Sequence, residues 1–352
     1  MEIQGSSPLK RLDGPILITG HTGFKGTWLT RYLMKLGVSV AGFSLAPDES
    51  DLYARAGLVG QIKEQFADIR SYAALDLFVK KIKPSAIFHL AAQPLVRESY
   101  RNPLATFETN VMGTANLLEV ARTTDSVEAV IVVTTDKVYQ NLNSGKRFIE
   151  TDSLLGADPY SASKVGAENV VIAWQHLPSN HKYNNISVVR SGNVVGGGDL
   201  SKDRLMADVV RSHIGSEKLH IRNPRSTRPW QHVLDPLHGY ILTLERALNT
   251  SFGENFNFGP TEPALTVEEV IKIVHNSWAD MEFEVSESQT DNYESQLLDL
   301  DSSRARHVLS WTPKYSQTEA IAKTIHWWEE TLNNRQSVLH AIDGQINEFL
   351  EQ

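Results

Sequence analysis

Apolar runs that predict strands alternate with amphipathic segments that predict helices over the first two thirds of the chain. The predicted strands are 16–19, 38–43, 86–92, 129–135 and 186–194, with a weaker candidate at 65–69. The predicted helices are 26–36, 72–82, 104–122 and 159–175. Strands that are apolar along their whole length are typical of a parallel sheet covered on both faces. With right-handed crossovers, this pattern predicts an α/β fold with a doubly wound parallel sheet of the Rossmann type.

After about residue 195 this alternation ends, and the chain is expected to form a smaller domain. Three consecutive glycines at 196–198 interrupt the chain, and the segments beyond them are shorter and contain several prolines. A strand-like run at 256–259 is expected to return to the main sheet, so that the two domains interleave. We therefore assign residues 1–195 and 233–263 to the Rossmann domain, and residues 196–232 and 264–352 to a smaller C-terminal substrate-binding domain.

The end of the chain carries helical patterns. A helix is predicted at 316–332, and the tail at 333–352 has apolar residues at four-residue spacing, which favours a further helix. Nothing in the composition of the tail indicates what it does.

The composition is that of a soluble globular protein without thiol chemistry. The 352 residues are 41% hydrophobic and 22% charged and include no cysteine, which excludes disulfides and thiolate metal sites and fits a reducing cytoplasm. We expect no signal peptide and no membrane span, since no apolar run reaches about 18 residues. The net charge of −8 disfavours nucleic acid as a partner. The twelve histidines lack the spacing of a metal site.

A glycine pattern directly after the first predicted strand indicates a dinucleotide site. Gly20, Gly23 and Gly26 would in turn permit a tight turn, admit the pyrophosphate close to the backbone and let the helix pack on the sheet. The pyrophosphate would then lie at the N-terminus of the helix. Thr22, Phe24 and Lys25, which stand between these glycines, are assigned to the same site.

The ends of the next strands are expected to hold the rest of this cofactor. No acid or arginine stands at the end of the second strand, so the residues there leave NAD against NADP open. Asp68 and Ile69 follow the third strand, where an acid can meet the adenine amine; an N-cap for the helix at 72–82 explains Asp68 equally well. The small residues after the fourth strand would let the backbone lie beside the nicotinamide ribose; this segment comprises Leu90, Ala91, Ala92 and Gln93.

Tyr160 and Lys164 stand one helical turn apart, behind an N-cap aspartate and a first-turn proline. A cation beside a phenol favours the phenolate, so we expect Lys164 to lower the pKa of Tyr160 and to make it a general base. The same lysine can bind the nicotinamide ribose. Together with the glycine pattern, this pair predicts the oxidation of a hydroxyl group by a nicotinamide cofactor.

These motifs, with the strand-end sequence at 190–194, resemble the extended short-chain dehydrogenase/reductase superfamily. The resemblance runs from about residue 14 to residue 311. It implies a nucleotide-sugar substrate, bound NAD with Thr109 as a further contact, and a homodimer or tetramer in which the helices at 104–122 and 159–175 pair across a two-fold axis.

The residues after the fifth strand offer more than a simple dehydrogenase needs. Thr135 would hold the substrate oxygen, and the adjacent Asp136 and Lys137 could remove a proton from C5 and protonate the departing C6 hydroxyl. That chemistry is dehydration. The sequence leaves open which of the two is the base, because Lys137 can accept a proton only when it is neutral.

A basic segment is expected to bind the phosphates of the substrate. Residues 201–230 contain seven basic residues against three acidic ones, which favours a small anion. Arg204 and Arg228 are assigned to the pyrophosphate because guanidinium forks match phosphate oxygens. Asn193, at a strand end, could hydrogen-bond the first phosphate or the sugar, and Gln93 is a further candidate for a substrate contact.

Within the superfamily, the Thr-Asp-Lys triplet is similar to that of the nucleotide-sugar 4,6-dehydratases that act on CDP-glucose, whereas other 4,6-dehydratases carry Thr-Asp-Glu. The stretches at 21–26, 92–97 and 222–232 resemble the same branch. This resemblance implies internal hydride transfer from C4 to C6 and a 4-keto-6-deoxy product. A 4,6-dehydratase of another nucleotide sugar, or a 4-epimerase or reductase that uses Tyr160 and Lys164 alone, stays open.

Overall fold

The computed structural model describes residues 7–177, 185–221, 224–279, 281–285, 298–332 and 337–352. Its strands are β1 (Ile16–Thr19), β2 (Val40–Ser44), β3 (Lys63–Phe66), β4 (Ala86–His89), β5 (Ala129–Val133), β6 (Arg147–Phe148), β7 (Ile186–Ser191), β8 (Val194–Val195), β9 (Leu219–Ile221), β10 (Thr227–Arg228), β11 (Gln231–His232), β12 (Phe256–Phe258), β13 (Leu265–Thr266), β14 (Phe283–Val285) and β15 (Asp299–Leu300). Its α-helices are α1 (Phe24–Lys35), α2 (Leu52–Arg55), α3 (Tyr72–Ile82), α4 (Val96–Arg101), α5 (Pro103–Phe107), α6 (Gly113–Arg122), α7 (Pro159–Gln175), α8 (Leu205–Gly215), α9 (Leu234–Thr250), α10 (Val267–Ser277), α11 (Ser303–Leu309), α12 (Gln317–Thr331) and α13 (Ser337–Glu351).

Seven parallel strands form the main sheet, in the order β12-β7-β5-β4-β1-β2-β3. The doubly wound α/β prediction is therefore confirmed, and β12 joins the sheet beside β7 as expected. Strand order reverses between β1 and β4, which pair along their length with Thr19 opposite His89. Because the strands are parallel, their carboxyl ends lie at one edge, where ligands of such sheets bind.

The helix at 159–175 has its predicted bounds because its N-terminus is well capped. The Asp158 carboxylate accepts a hydrogen bond from the Ser161 amide at 3.0 Å, and Pro159 occupies the first turn. The predicted helix at 104–122 is instead three segments: α5, a π-helical turn at Glu108–Met112, and α6. The π-helical turn lies in the part of the fold that faces α7.

The C-terminal part of the chain contains more helix than the sequence indicated. Helix α9 packs on β5 and β7 of the main sheet, although its 17 residues were not recognised as a helix. The predicted tail helix is confirmed as α13. Its Asp343 is paired with Arg31 of α1, with a 2.6 Å bond from Nη2 to Oδ2, and Glu348 is paired with Lys323 of α12 at 2.6 Å.

One hydrophobic core includes residues from both parts of the chain, among them Trp28 of α1, Leu237 of α9 and Trp327 of α12. The division into two interleaved domains stays a prediction. None of the helices in the described ranges is both long and apolar enough to cross a bilayer.

Candidate active site

The glycine turn between β1 and α1 has the geometry that a pyrophosphate site requires. Gly20 has φ of +76°, and a Cβ there would lie 2.7 Å from the Ala91 nitrogen. A Cβ at Gly26 would lie 2.1 Å from the carbonyl oxygen of Gly20, so the helix packs against the turn only because the side chain is absent. Gly23 is the N-cap of α1 and has no side-chain cap, which leaves the first amides of the helix available to phosphate oxygens.

Thr22 of the glycine turn, and Asp68 and Ile69, which were predicted for the adenine end, follow strands of the same sheet edge. The hydroxyl groups of Thr22 and Ser44 are 2.7 Å apart, and Thr22 also donates to the Leu45 carbonyl at 3.1 Å. Asp68 does not cap α3. Its carboxylate accepts from the Arg70 amide at 2.8 Å and pairs with the Arg70 guanidinium, which lowers the pKa of Asp68. Ile69 is buried beneath α6, where a Cβ on Gly113 would be 2.8 Å from it.

The segment after β4 is shaped by hydrogen bonds that involve Gln93. The Gln93 side-chain amide donates to the Leu95 carbonyl at 3.1 Å and to Thr106 at 2.9 Å, and its oxygen accepts from the Leu95 amide at 2.5 Å. A substrate contact through this side chain, as predicted, would require one of these bonds to be given up. The backbone amide of Leu90 donates to the carbonyl of Thr19 in β1 at 3.0 Å, and the backbone amide of Ala91 donates to the Thr19 hydroxyl at 3.3 Å.

Asn110 is a site residue that the sequence analysis missed. It lies in the π-helical turn, next to the predicted cofactor contact Thr109, and its side chain is buried. Its side-chain oxygen accepts a hydrogen bond from the backbone amide of Gln93 at 2.8 Å. Its side-chain amide group donates to the backbone carbonyl of Gln93 at 3.1 Å and to the hydroxyl of Ser163 on α7 at 2.8 Å. Asn110 therefore fixes the loop after β4 to the helix that carries Tyr160. A polar residue within an apolar helical stripe was the available signal.

The turn after β5 brings Thr135, Asp136 and Lys137 together as predicted. Thr135 caps a short 3₁₀ turn by accepting from the Lys137 amide at 3.3 Å, and its hydroxyl donates to Asp136 Oδ1 at 3.0 Å. Asp136 is 4% exposed. Burial raises the pKa of Asp136, while the charge of Lys137 and the bond from Thr135 oppose that rise. Lys137 is only partly buried.

The other oxygen of Asp136 lies against the loop between β7 and β8. A Cβ on Gly192 would come within 2.7 Å of Asp136 Oδ2 and 3.5 Å of Pro229. The buried orientation of the carboxylate therefore depends on a residue without a side chain at this position.

Replacing Gly192 by alanine is expected to turn the Asp136 carboxylate and to slow dehydration roughly 10²-fold, because displacements of about 1 Å have effects of that size. Oxidation of the substrate should be affected much less. Gly344→Ala is the matched control, since no atom lies within 4 Å of a Cβ there. Equal loss of both partial reactions in the Gly192 variant, measured in single turnovers, would contradict this role of the glycine.

Tyr160 and Lys164 share the buried face of α7, each 7% exposed. The Lys164 ammonium group donates to the Val133 carbonyl at 3.2 Å. Burial raises the pKa of Tyr160 to about 12, although the bond to Thr135 and the charge of Arg204 oppose the rise. The expectation that Lys164 would bring this pKa down is therefore wrong for the protein alone, because desolvation of the phenolate outweighs it. Burial also lowers the pKa of Lys164, to about 8, against the charge of Glu168.

Lys25 lies nearer to the catalytic residues than its place in the glycine turn indicated. Its amine donates to Ser191 at 2.9 Å and approaches the Tyr240 hydroxyl at 3.4 Å. Burial, and then the charge of Arg204, lower the pKa of Lys25 to about 7, whereas the charge of Asp136 raises it. Lys25 was predicted to bind the cofactor, and the structure places its amine beside Ser191 and Tyr240 and close enough to Asp136, a predicted catalytic residue, for the two charges to interact.

The residues predicted for the substrate phosphates surround the same cluster. Arg204 pairs with Asp199 at 2.9 Å, and its charge acts on Tyr160 and Lys25. Arg228 donates to its neighbour's carbonyl, and its charge acts on Asp136. The side chain of Asn193, in the loop between β7 and β8, is partly exposed. Residues 222 and 223 of the branch-like stretch at 222–232 lie outside the described residues.

Comparison with known proteins supports the resemblance inferred from these motifs. Residues 17–324 match the family model described as GDP-mannose 4,6 dehydratase. The chain is 40% identical over 321 residues to the CDP-glucose 4,6-dehydratase of Salmonella typhimurium (strain LT2), covering 89% of each chain. It is 26% identical to the UDP-glucuronate 4-epimerase of Thermodesulfobacterium geofontis, covering 92% of this chain and 99% of the relative. A crystal structure of dTDP-glucose 4,6-dehydratase from Streptomyces venezuelae with NAD bound superposes with a TM-score of 0.76 at 25% identity, covering 91% and 98% of the two chains.

Proposed function

Since the chain belongs to the GDP-mannose 4,6 dehydratase family, we propose that it removes water from a nucleotide-activated hexose to give the 4-keto-6-deoxy sugar. CDP-glucose is the proposed substrate, because the relative that is 40% identical along nearly all of both chains acts on it by name. The observation that carries the proposal is the buried Asp136, which accepts a hydrogen bond from Thr135 and lies close enough to Tyr160 for its charge to act on the phenol. A 4-epimerase has no use for a buried acid there.

The residues divide the reaction into an oxidation and an elimination. The glycine turn and Lys164 would hold NAD, which when bound would supply the chemistry of accepting hydride from C4 and returning it to C6. The side chains of Thr135 and Tyr160 are both buried and are hydrogen-bonded to each other. They are proposed to hold O4, and Tyr160 would take its proton as the C4 hydride departs. The high pKa of the buried phenol means that this proton transfer depends on positive charge near it. Arg204 supplies such a charge, and Lys164, one helical turn away on α7, is proposed to supply another.

The elimination requires one proton acceptor and one proton donor. A ketone at C4 acidifies the C5 hydrogen, and loss of the C6 hydroxyl as water needs a proton on the leaving oxygen. The raised pKa of Asp136 favours its protonated form, which suits the donor. Lys137, when neutral, is then the acceptor for the C5 proton, and the same group can return a proton to C5 after hydride reaches C6. The burial of Asp136 supports this assignment, which the sequence leaves open.

Arg204 and Arg228 are proposed to bind the pyrophosphate of the substrate. Both charges act on the catalytic residues, so they lie close enough to compensate a diphosphate placed beside them. Binding would require Arg204 to exchange Asp199 for a phosphate oxygen. The sugar would then extend from the arginines towards Tyr160.

The proposed activity is tested by incubating the protein and NAD with CDP-, dTDP-, GDP- and UDP-glucose or mannose and analysing the products. We expect CDP-glucose to give a product lighter by one water, with the absorbance of a 4-keto sugar in alkali. A product of unchanged mass with inverted C4 would instead identify a 4-epimerase, and dehydration of another nucleotide sugar only would overturn the substrate assignment.

A homodimer through α5, α6 and α7 is proposed for the assembly. Leu104 is 80% exposed, and Phe107, Met112 and Ile172 also expose apolar surface on this side of the molecule. We expect sedimentation to give a dimer or a dimer of dimers, and Leu104→Glu to shift the distribution towards the monomer. A wild-type protein that sediments as a monomer at micromolar concentration would contradict the assignment.

A further inference from the structure

Glu168 and Arg190 form a buried ion pair that the proposed mechanism does not use. Glu168 lies on α7, one turn beyond Lys164, and Arg190 lies near the end of β7. Both side chains are 2% exposed. The guanidinium group is bidentate: its Nε donates to Glu168 Oε1 at 2.9 Å and its Nη2 donates to Oε2. Such a pair is held in one geometry.

Further hydrogen bonds connect this pair to residues on both sides of the turn at 135–137, here called the catalytic turn. Thr134, the residue before Thr135, donates to Glu168 Oε1 at 2.7 Å. Arg190 Nη1 donates to the Tyr139 hydroxyl at 2.7 Å, and Tyr139 in turn donates to Asn257 at 2.8 Å. The pair therefore connects the helix that carries Tyr160 and Lys164 with the turn that carries Asp136.

Lys164 is surrounded mainly by groups that disfavour a buried cation. Lys25 of α1 adds a second positive charge, and His89 of β4 is a buried neutral imidazole. On α7 itself, Tyr160 is a neutral phenol when protonated, and Glu168 supplies a negative charge that raises the pKa of Lys164. The Val133 carbonyl accepts one hydrogen bond from the ammonium group.

We propose that Glu168 is a positioning residue for the oxidation step: Arg190 and Thr134 lock its carboxylate one helical turn from Lys164, where its negative charge favours the ammonium form of that lysine. This inference rests on the proposed function, since it concerns the proton transfer from the substrate hydroxyl. A purely structural role would be met by apolar side chains of similar size, because such replacements of buried ion pairs are often neutral for stability.

The sign of the expected pH effect follows from the charge of Glu168. Oxidation is proposed to require the ammonium form of Lys164, so loss of its proton would produce the alkaline limb of the rate; burial lowers the pKa of Lys164 to about 8 in the protein alone. Glu168 is the charge that raises the pKa of Lys164, and Arg190 is not among the groups that act on it. Removing both members of the pair therefore lowers this pKa, so the ammonium form is lost at a lower pH and the alkaline limb moves down.

The test compares wild-type protein with the double variant Glu168→Leu, Arg190→Met, using full-length protein, NAD and the nucleotide sugar that the wild type converts. Single-turnover oxidation is followed across pH, and thermal unfolding is measured alongside. We expect the double variant to unfold near the wild-type temperature, and its alkaline limb to lie about one pH unit lower, with oxidation about fivefold slower at pH 8 and little change in KM. The exposed pair Glu268–Lys272 on α10 gives the control, Glu268→Gln with Lys272→Met, which should match the wild type.

A double variant with the wild-type pH profile would overturn the proposal and leave the pair a structural role. If the double variant does not fold, Glu168→Gln is used instead, because it keeps the shape of the side chain. The alkaline limb of its oxidation rate is then compared with that of the wild type. Failure of the proposed function is distinguishable, because the wild-type protein would then dehydrate none of the nucleotide sugars.

Discussion

Replacing Asp136 by asparagine is expected to separate oxidation from dehydration. The variant should still oxidise C4, because Tyr160, Thr135 and Lys164 are unchanged, whereas loss of water should slow by about 10²–10⁴-fold, the usual effect of removing a general acid. A single turnover of Asp136→Asn should therefore show reduced cofactor that forms and persists, with no product lighter by one water. Cofactor absorbance reports the oxidation, and rapid-quench analysis of the sugar in the same turnover reports the loss of water.

Asparagine is a suitable replacement because it keeps the size of the side chain and adds no buried charge at a position where burial raises the pKa of Asp136. The variant should unfold near the wild-type temperature, and the exposed Asp125→Asn, at the opposite edge of the sheet before β5, should leave both rates unchanged. An Asp136→Asn variant that still dehydrates at the wild-type rate would show that Asp136 is not the general acid.

Replacing Tyr160 by phenylalanine is expected to abolish both halves of the reaction. Without the phenol no group takes the O4 proton, so oxidation should fall by about 10²–10⁴-fold, and elimination cannot proceed without a ketone at C4. In contrast to Asp136→Asn, a single turnover should show neither reduced cofactor nor dehydrated product. The same two measurements, cofactor absorbance and rapid-quench analysis of the sugar, distinguish the two variants.

The matched control for this change is Tyr72→Phe, since Tyr72 is 42% exposed on α3. Tyr160→Phe removes only a hydroxyl group from a buried ring, so substrate binding measured by calorimetry should be retained. Normal oxidation in Tyr160→Phe would show that another base acts on O4, and Lys25, with its pKa of about 7, would be the next candidate.

The sequence was sufficient to predict the elements whose signals are local. The strands at 16–19 and 129–133 are apolar along their length, and α7 begins where Asp158 and Pro159 stand. The catalytic turn could be placed because a residue that follows a parallel strand faces the ligand edge. Each of these inferences depends on residues within a few positions of one another.

The features that the sequence did not predict depend on contacts distant along the chain. A π-helical turn at Asn110 cannot be distinguished from α-helix by periodicity, and its function depends on Gln93 and Ser163. The position of the Lys25 amine is set by Ser191 and Tyr240, far along the chain. The pKa of Tyr160 was expected to fall because a cation lies one turn away, and it rises because the fold removes the phenol from water.

The most direct test of the central claim is one turnover of CDP-glucose carrying deuterium at C4. The account predicts a 4-keto product that is lighter by one water and carries the deuterium at C6, because hydride leaves C4 and returns to C6 within one active site. Deuterium that remains at C4 in a sugar of unchanged composition, or is lost to reduced cofactor released into solution, would contradict it.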